Sequence, residues 1–268
     1  MTHAGVSPSR AVVITGASSG IGAALARRLA ARGEDLVLVA RRRERLDELA
    51  REVAERYARQ ALVLPADLAV PGAARQVADA VAAAGIAVTG LVNSAGFGTA
   101  GPFMREDPDR IAAEIAVNVV ALTELTRLLL PEIDRSGRGF LVNVSSTAAY
   151  QPLPGMAVYA ASKAFVTALT EAVAEELRLS GSRTKVLALA PGPTETEFFA
   201  VGSDLFRIGQ VLSVDEVVDT ALAALARHDV PPSVIVGVRN KITAYLARSA
   251  PRRLTLSVGA RLTRFGRA

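Results

Sequence analysis

The chain has 268 residues, of which half are hydrophobic and 21% are charged, so it can bury the core of one α/β domain. It has no cysteine, and its two histidines lie in a polar leader and near the end of a predicted helix, so neither thiol chemistry nor a metal site is expected. The net charge of +5 is uneven: eight of the 31 basic residues and no acidic residue lie in 230–268, which leaves 23 basic against 26 acidic residues elsewhere. A mildly acidic body with a basic tail argues against nucleic-acid binding.

The apolar runs are all shorter than the roughly eighteen residues that a membrane span requires. No targeting signal is recognised, because small and polar residues at 15–22 interrupt the first apolar run. We therefore expect a cytoplasmic protein that is soluble or at most peripheral on a membrane.

Seven short apolar segments alternate with helical patterns, after a polar leader at 1–10 that we expect to be disordered. Continuous apolar runs of this kind are typical of strands buried on both faces of a parallel sheet. The segments lie at 11–15, 36–40, 61–66, 90–93, 140–146, 185–190 and 233–237. The pattern predicts an α/β fold with a doubly wound parallel sheet and helices on both faces, as one domain over 11–238, followed by a basic extension at 239–268.

A glycine-rich turn follows the first predicted strand. Its sequence, GASSGIG at 16–22, has the spacing T-G-x-x-x-G-x-G and precedes a helical pattern. In this context backbone N–H groups and a helix N-terminus approach a pyrophosphate. The turn therefore predicts a dinucleotide site at Gly16, Gly20 and Gly22.

The second predicted strand ends on Ala40, where dinucleotide folds that choose NAD carry an Asp or Glu for the ribose hydroxyls. Arg41, Arg42 and Arg43 follow instead, and guanidinium groups suit a 2′-phosphate. NADP(H) is therefore favoured over NAD(H), with Arg41, the first residue after the strand, as the main ligand. The alternative for Arg42 and Arg43 is that they only open the charged helix predicted at 43–58.

Polar or small residues also follow the third and fourth strands, at the edge where open parallel sheets bind ligands. They are Asp67 and the turn Asn-Ser-Ala-Gly at 93–96. Further along, Asn118 lies inside a long helical pattern at about 108–130. Because Asn has poor helix propensity, its position implies either a tertiary partner or plain solvent exposure.

Tyr159 and Lys163, in the segment YAASK, lie four residues apart in a helical context, so both side chains share one face. A cation beside a phenol stabilises the phenolate and lowers its pKa from about 10. We therefore predict that Tyr159 is an acid or base near neutrality. An isolated pair of this kind would be read as an ordinary surface helix, but here it accompanies the other motifs.

Together these segments resemble the single-domain branch of the short-chain dehydrogenases/reductases over roughly residues 10–240. The shared motifs, in the expected order, are TGASSGIG, NSAG in place of the usual NNAG, Asn118, Ser146 thirteen positions before Tyr159, YAASK, and PGPTET. The resemblance implies a seven-stranded Rossmann-type fold, an NAD(P)(H) cofactor, and reversible hydride transfer between a nicotinamide and an alcohol or carbonyl.

The resemblance also implies roles for individual residues. Ser146 would hydrogen-bond the substrate oxygen, and Tyr159 would transfer the proton. Lys163 would hold the nicotinamide ribose and lower the pKa of Tyr159. Asn118 would position a water that links Lys163 to solvent, and Asn93 would pin the structure around Asn118 and the cofactor. The implied cofactor contacts are Gly16, Ser18, Ser19, Gly20, Ile21 and Gly22 at the phosphates, Asp67 and Leu68 at the adenine, Asn93, Ala95 and Gly96 at the adenosine and ribose, and Pro191, Gly192, Thr194 and Thr196 at the nicotinamide amide.

Most of the phenylalanines fall in two segments that follow motifs of the site. They are Phe97 and Phe103 after NSAG, and Phe198, Phe199 and Phe206 after PGPTET. Since only 4% of the residues are aromatic, this clustering favours an apolar substrate pocket, to which Tyr150 in the loop before Tyr159 is added. The alternative is that these rings pack on their own domain.

The expected reaction is therefore interconversion of a hydrophobic ketone or aldehyde with its alcohol. A ketoacyl-thioester reductase is the second candidate. A non-catalytic dinucleotide-binding protein is a weaker one, because Ser146, Tyr159 and Lys163 are all present.

Two features suggest partners. The helical segment 164–179 has apolar residues on more than one face, which predicts a homodimer or homotetramer. In the basic tail, Leu254, Val258, Leu262 and Phe265 recur at helical spacing, with arginines on another side. We expect this apolar face either to pack on the body or a sister subunit, or to make weak contact with an anionic membrane surface.

Overall fold

The computed structural model describes residues 9–197 and 211–262 of the chain. Most of the predicted leader, the ring positions Phe198, Phe199 and Phe206, and Phe265 of the tail lie outside the described residues.

Seven parallel strands form a single sheet. They are β1 (Arg10–Thr15), β2 (Leu36–Ala40), β3 (Ala61–Pro65), β4 (Ala87–Asn93), β5 (Phe140–Val144), β6 (Lys185–Ala190) and β7 (Ser233–Ile235). Their order across the sheet is β3-β2-β1-β4-β5-β6-β7. The predicted α/β fold with a doubly wound, seven-stranded Rossmann-type sheet is confirmed.

Nine α-helices are present among the described residues. They are α1 (Gly20–Ala30), α2 (Arg43–Tyr57), α3 (Ala73–Ala83), α4 (Pro108–Ile115), α5 (Leu122–Arg135), α6 (Ala157–Leu179), α7 (Val214–Ala226), α8 (Val238–Ser249) and α9 (Arg252–Leu262). Short 3₁₀ helices lie at Phe103–Arg105 and Thr147–Tyr150, and a π turn at Ala116–Ala121 joins α4 to α5. Within the described ranges, none of these helices is both long and apolar enough to cross a bilayer.

The core has two layers, one on each face of the sheet. Residues of α1, α2 and α7 pack with one set of strand side chains, for example Leu25, Leu46 and Leu222 with Ile14. Residues of α3 and α5 pack with the alternate strand residues on the opposite face. Because both faces are covered, the central strands are apolar throughout, which is why the sequence shows continuous apolar runs rather than alternation.

The order in which successive strands are added to the sheet reverses between β1 and β4, and this point positions the site. β1 pairs with β2 on one side and with β4 on the other, and Thr15 is aligned with Asn93 at the carboxyl end of the pair. The Thr15 hydroxyl oxygen accepts hydrogen bonds from the N–H groups of Ser94 and Ala95, both at 3.1 Å. The glycine-rich turn after β1 and the turn after β4 are therefore held together at the edge where such sheets bind ligands.

The long helix predicted at about 108–130 differs from the structure in two ways. It is divided by the π turn that contains Asn118, and its second part continues past Pro131 to Arg135. Its start follows ordinary capping rules, because the Asp107 carboxylate accepts a hydrogen bond from the N–H of Asp109 and Pro108 occupies the first turn.

Candidate active site

Tyr159 and Lys163 lie on the first turns of α6 and face the carboxyl end of β5. Both are buried, with 9% and 5% of their surfaces exposed. The Lys163 Nζ lies 5.7 Å from the centroid of the Tyr159 ring and donates a hydrogen bond of 2.8 Å to the carbonyl oxygen of Val144. The predicted shared helical face is therefore present, and the last residue of β5 fixes the ammonium beneath the phenol.

The pKa of Tyr159 does not follow the sequence-based expectation. Burial raises the pKa of the phenol to about 12, although a hydrogen bond with Ser146 acts in the opposite direction. Burial also lowers the pKa of Lys163 to about 8, while the nearby Glu114 carboxyl opposes that shift. The prediction of a lowered Tyr159 pKa is wrong for this structure, because it considered the neighbouring cation but not the desolvation of both groups.

Ser146 follows β5 and begins the 3₁₀ helix Thr147–Tyr150. Its Oγ accepts a 3.1 Å hydrogen bond from the N–H of Ala148, so the side chain caps this helix. The same hydroxyl is hydrogen-bonded to Tyr159. Capping fixes the orientation of Ser146, and the contact with Tyr159 places the two hydroxyl groups where both can reach one substrate oxygen.

Asn118 has the tertiary partners that its position in a helix required. Its Nδ2 donates to the carbonyl oxygen of Phe97 at 2.8 Å and to Ser162 Oγ at 3.1 Å, and its Oδ1 accepts from the Phe97 N–H at 3.2 Å. A Cβ on Gly96 would lie 2.9 Å from Asn118 Oδ1 and 3.4 Å from Lys163 Nζ, so only glycine leaves this approach free. Asn118 is buried beneath the cavity wall and does not line the cavity itself.

The site opens into a cavity of about 870 Å³. Nearly all the residues expected to bind cofactor lie on its wall. They are Gly16, Ser18, Ser19, Gly20, Ile21, Arg41, Arg42, Asp67, Leu68, Ala95, Gly96, Tyr159, Lys163, Pro191, Gly192, Thr194 and Thr196. Ser146 lies on the same wall, so the catalytic candidates and the predicted nucleotide contacts share one space.

The glycine-rich turn has the shape that a pyrophosphate requires. Gly16 has φ +68°, and a Cβ there would lie 2.8 Å from the backbone nitrogen of Ala95. A Cβ on Gly22 would lie 2.4 Å from the Gly16 carbonyl oxygen, so Gly22 serves helix packing and does not line the cavity. Ser19 precedes α1 without capping it, and the first turn of α1 has no acidic residue. The first N–H groups of α1 have no partner within the helix, so this end of α1 suits an anionic group.

Asn93 does not lie where the resemblance implied. It is 2% exposed and does not line the cavity. Its Nδ2 donates to Thr126 Oγ1 at 3.1 Å and to Asn143 Oδ1 at 2.9 Å, and Asn143 in turn donates to Thr170 Oγ1 at 2.9 Å. Asn93 therefore ties β4 to α5 and β5 in the interior, because its side chain points away from the cavity edge. Its contact with Asn118 is absent among the described hydrogen bonds.

Both predicted phosphate ligands, Arg41 and Arg42, line the cavity, and Arg42 is hydrogen-bonded to the glycine-rich turn. Its Nη2 donates to Ser18 Oγ at 3.1 Å, and its Nη1 lies 2.8 Å from Glu197 Oε2. This guanidinium holds the pKa of Glu197 below its usual range. Arg43, the first residue of α2, does not line the cavity, which agrees with the structural alternative stated for it.

The residues predicted to contact substrate differ in whether they line the cavity. Phe97 lines the cavity, and the Arg110 guanidinium lies 6.0 Å from its ring centroid. Tyr150 also lines it, but its hydroxyl is hydrogen-bonded to Ser233, and burial raises its pKa. Phe103 is 62% exposed and does not line the cavity, because the 3₁₀ helix that it begins turns it outward.

Sequence reasoning missed a buried carboxyl beside the site. Glu114 lies one helical turn before Asn118, with no exposed surface, and its Oε2 accepts a 2.8 Å hydrogen bond from the Thr99 N–H. No described residue hydrogen-bonds its Oε1. Burial raises the pKa of this carboxyl. A signal was available, since Glu114 occupies the same buried stripe as Val117, Asn118 and Ala121.

The contribution of α8 was also missed. Asn240, Thr243 and Ala244 line the cavity, although the sequence assigned residues 239–268 to an extension. A Cβ on Gly192 would lie 2.5 Å from Asn240 Nδ2, so α8 closes directly over the Pro-Gly segment after β6. Helix α8 is therefore part of the site.

Comparison with known proteins identifies the family of the chain. The sequence profile of the short chain dehydrogenase family matches residues 10–204. Sulfoacetaldehyde reductase 2 of Chromohalobacter salexigens is 40% identical over 193 residues, which cover 71% of this chain and 75% of the relative. Very-long-chain 3-oxoacyl-CoA reductase of Anas platyrhynchos is 34% identical over 63% of this chain, and the match spans only 55% of that relative.

Among solved structures, a short-chain dehydrogenase from Sphingobium yanoikuyae in complex with NADPH superimposes with a TM-score of 0.77. It is 35% identical, and the match covers 88% of this chain and 92% of that one. The family profile spans most of the chain, including the glycine-rich turn and the Tyr159–Lys163 pair. The chain is therefore an oxidoreductase of the short-chain dehydrogenase/reductase family.

Proposed function

We propose that this protein is an NADP-dependent oxidoreductase that interconverts a hydrophobic ketone or aldehyde with its alcohol and uses Tyr159 as the acid or base. The observation that carries the proposal is that Ser146, Tyr159 and Lys163 face the same cavity as the glycine-rich turn and Arg42. A nicotinamide bound there would supply the hydride or accept it.

Tyr159 transfers the proton in this proposal. With a pKa raised to about 12, the phenol holds its proton at neutral pH, which is the form that a carbonyl reduction needs. Ser146 donates its own hydrogen bond to the substrate oxygen and holds it beside the phenol. Lys163, fixed by Val144, provides positive charge next to the phenolate that remains after transfer.

Asn118 has a positioning role behind the cavity wall. It holds the main chain of Phe97 and, through Ser162, the helix that carries Lys163. The water-mediated proton path through Asn118 that the family resemblance implies is retained as part of this proposal.

The preference for NADP(H) is proposed from charge. The three residues directly after β2 are Arg41, Arg42 and Arg43, and the first two line the cavity at that point. A guanidinium group can bind a 2′-phosphate through two hydrogen bonds. The NADPH complex of the Sphingobium yanoikuyae relative supports the same choice.

The substrate class is proposed from the residues that line the cavity, because the named relatives act on very different substrates. One is named for sulfoacetaldehyde and another for a very-long-chain 3-oxoacyl-CoA. Around Tyr159 the wall is mainly apolar, with Phe97, Ala148, Leu153 and Met156. Such a wall suits a hydrophobic substrate.

A ketoacyl-thioester reductase remains the second candidate. The observation in its favour is Arg110, which lines the cavity beside Phe97 and could bind the anionic part of an acyl carrier.

The proposed assembly is a homodimer or homotetramer built on α6. The outer side of this helix exposes Ala157, Ala161, Phe165 and Ala168, an apolar strip of mostly small residues suited to close pairing. Sedimentation velocity at micromolar concentration tests this part, and a single monomeric species would contradict it.

The reaction itself is tested by following NADPH oxidation with purified protein. The panel contains hydrophobic ketones and aldehydes, 3-ketoacyl thioesters, and small anionic aldehydes, each with NADPH and with NADH. We expect turnover of the first group with NADPH. Turnover of thioesters alone would favour the second candidate, and tight NADPH binding with no turnover of any carbonyl would identify a non-catalytic dinucleotide-binding protein.

A further inference from the structure

Helices α8 and α9, the C-terminal helix pair, turn a face of small residues toward the body. Ala244 and Thr255 are buried, and the Thr255 hydroxyl is hydrogen-bonded to the Pro251 carbonyl at 3.3 Å. A Cβ on Gly259 would lie 3.1 Å from the Pro152 carbonyl oxygen, so α9 packs closely on the loop before Tyr159. The pair is thus seated on the wall of the active-site cavity by its smallest side chains.

The large apolar side chains of the pair point outward. On α8 these are Val238, Ile242, Tyr245 and Leu246, each more than half exposed. On α9 they are Leu254, Leu256 and Val258, which are 55%, 42% and 40% exposed. Nearly half of the large hydrophobic residues exposed in the described chain therefore lie in this pair. Leu254 and Val258 were expected to pack on the body or a sister subunit, or to contact a membrane; they are 55% and 40% exposed, and Thr255 and Gly259 make the close contact with the body instead.

The same surface is strongly cationic. Its exposed basic residues are Arg239, Lys241, Arg248, Arg252, Arg253 and Arg261. None of these six forms an ion pair with another described residue, and the sequence has no acidic residue after Asp229. Exposed apolar residues interspersed with cations, without any anion, are the pattern of helices that lie in a membrane interface.

We propose that the C-terminal helix pair docks this protein on an anionic lipid surface. The apolar side chains enter the boundary between headgroups and acyl chains, and the arginines contact the phosphates of the headgroups. Because the inner side of α8 lines the active-site cavity, docking places that cavity at the bilayer. Delivery of a lipid-soluble substrate from the bilayer rests on the proposed function, whereas docking itself does not.

The charge of the helix pair favours an anionic lipid surface over a second copy of the chain as its binding partner. A twofold pairing through the helix pair would bring the six cations of one copy against the six of the other, with no acidic residue in the pair to neutralise them. The apolar strip of α6 has no such excess of charge and is the surface proposed above for assembly. An anionic lipid surface matches both the apolar and the cationic character of the helix pair.

The test is co-sedimentation of the full chain with vesicles. One set contains equal parts of phosphatidylglycerol and phosphatidylcholine, and the other contains phosphatidylcholine alone. Each is measured at about 0.1 M and about 1 M salt, between which the screening length falls from about 10 Å to about 3 Å. We expect binding to the anionic vesicles that weakens at high salt, and little binding to the neutral ones.

Two variants separate the apolar and cationic contributions. Ile242→Ser with Leu246→Ser removes exposed apolar surface, and Arg248→Gln with Arg252→Gln and Arg253→Gln removes charge; none of these five side chains lines the cavity. Each variant should lower partitioning onto anionic vesicles by about tenfold or more. The matched controls, Val70→Ser with Leu179→Ser and Arg32→Gln with Arg138→Gln and Arg183→Gln, alter exposed residues elsewhere and should bind like the wild type.

Three results would overturn the proposal. They are no binding of the full chain, equal binding to both vesicle types at both salt concentrations, and equal losses in the variants and their controls. A change from oligomer to monomer in the Ile242→Ser, Leu246→Ser variant would instead assign the surface to a second copy. Thermal unfolding and NADPH binding of every variant show that the fold is intact. Vesicle binding needs no turnover, so its failure is distinguishable from failure of the proposed reaction.

Discussion

Asn118 binds both main-chain groups of Phe97, donating to its carbonyl oxygen at 2.8 Å and accepting from its N–H at 3.2 Å. A third hydrogen bond, to Ser162, connects the same side chain to the helix of Tyr159 and Lys163. One buried amide therefore sets the distance between the loop after β4 and the catalytic helix. The amide must donate and accept at once, which a carboxylate cannot do.

We expect Asn118→Asp to lose both donated hydrogen bonds and to place a carboxylate against the Phe97 carbonyl. The free energy of unfolding should fall by about 1–3 kcal/mol. Displacement of the cavity wall should lower kcat by a factor on the order of a hundred. Urea unfolding and NADPH turnover measure the two effects, and wild-type values for both would show that Asn118 does not position this loop.

Glu114 gives a prediction about pH. Its carboxyl has a pKa raised above the ordinary value of 4.5, chiefly because it is buried, with Glu106 adding to the shift and Lys163 and the Thr99 hydrogen bond opposing it. The native state therefore binds this proton more tightly than the unfolded state does. The stability that the protonated carboxyl contributes is fully present below pH 4.5 and is lost as the pH rises through the raised pKa.

Glu114→Gln keeps an acceptor for Thr99 but cannot ionise. We expect the stability of the variant relative to the wild type to increase as the pH rises from about 4 to about 8, in urea unfolding of the cofactor-free proteins. Glu124→Gln, on the exposed side of α5, is the matched control and should show no such trend. A difference between Glu114→Gln and wild type that is independent of pH would contradict the assignment.

Gly16 and Gly33 allow the steric requirement of the glycine-rich turn to be separated from its backbone angle. Both have positive φ, but a Cβ on Gly16 would lie 2.8 Å from Ala95, whereas nothing lies within 4 Å of one on Gly33. Gly33→Ala should cost only the left-handed conformation, about 1 kcal/mol. Gly16→Ala should cost several-fold more and abolish NADPH binding. Thermal unfolding and NADPH titration check this, and equal losses would show that the close contact with Ala95 has no effect.

The choice of cofactor is tested on the three consecutive arginines. Arg41→Ala and Arg42→Ala should each weaken NADPH by about tenfold or more while changing NADH little, because only NADPH carries the 2′-phosphate. Arg43→Ala, which does not line the cavity, is the control. Dissociation constants from fluorescence titration decide the matter, and equal losses for the two cofactors would make these arginines structural.

The seven strands could be predicted because each is a short apolar run in a sheet that is covered on both faces, and several motif residues could be placed because they follow the carboxyl ends of those strands. The same reasoning failed where tertiary packing sets the direction of a side chain. The family resemblance implied a cofactor contact for Asn93, but its side chain turns inward to Thr126 and Asn143. Phe103 was assigned to the pocket because phenylalanines cluster after the NSAG turn, and the structure exposes it.

Two further features could not be predicted from the sequence: the effect of burial on the pKa of Tyr159 and the position of α8 on the cavity wall. The lowered pKa predicted for Tyr159 followed from one neighbour, Lys163, and omitted the burial that raises it to about 12. The contribution of Asn240 to the cavity depends on how α8 returns across the sheet after β7, which no local pattern encodes.

The most direct test of the proposed chemistry is the turnover of Tyr159→Phe with NADPH and a ketone or aldehyde from the substrate panel that the wild type reduces. The substitution keeps the ring in place and removes the proton that Tyr159 is proposed to transfer. NADPH should bind within about twofold of wild type, and turnover should fall by a factor on the order of a hundred or more, whereas Tyr57→Phe should leave both unchanged. Near-normal turnover by Tyr159→Phe, with NADPH binding intact, would contradict the assignment of Tyr159 as the acid.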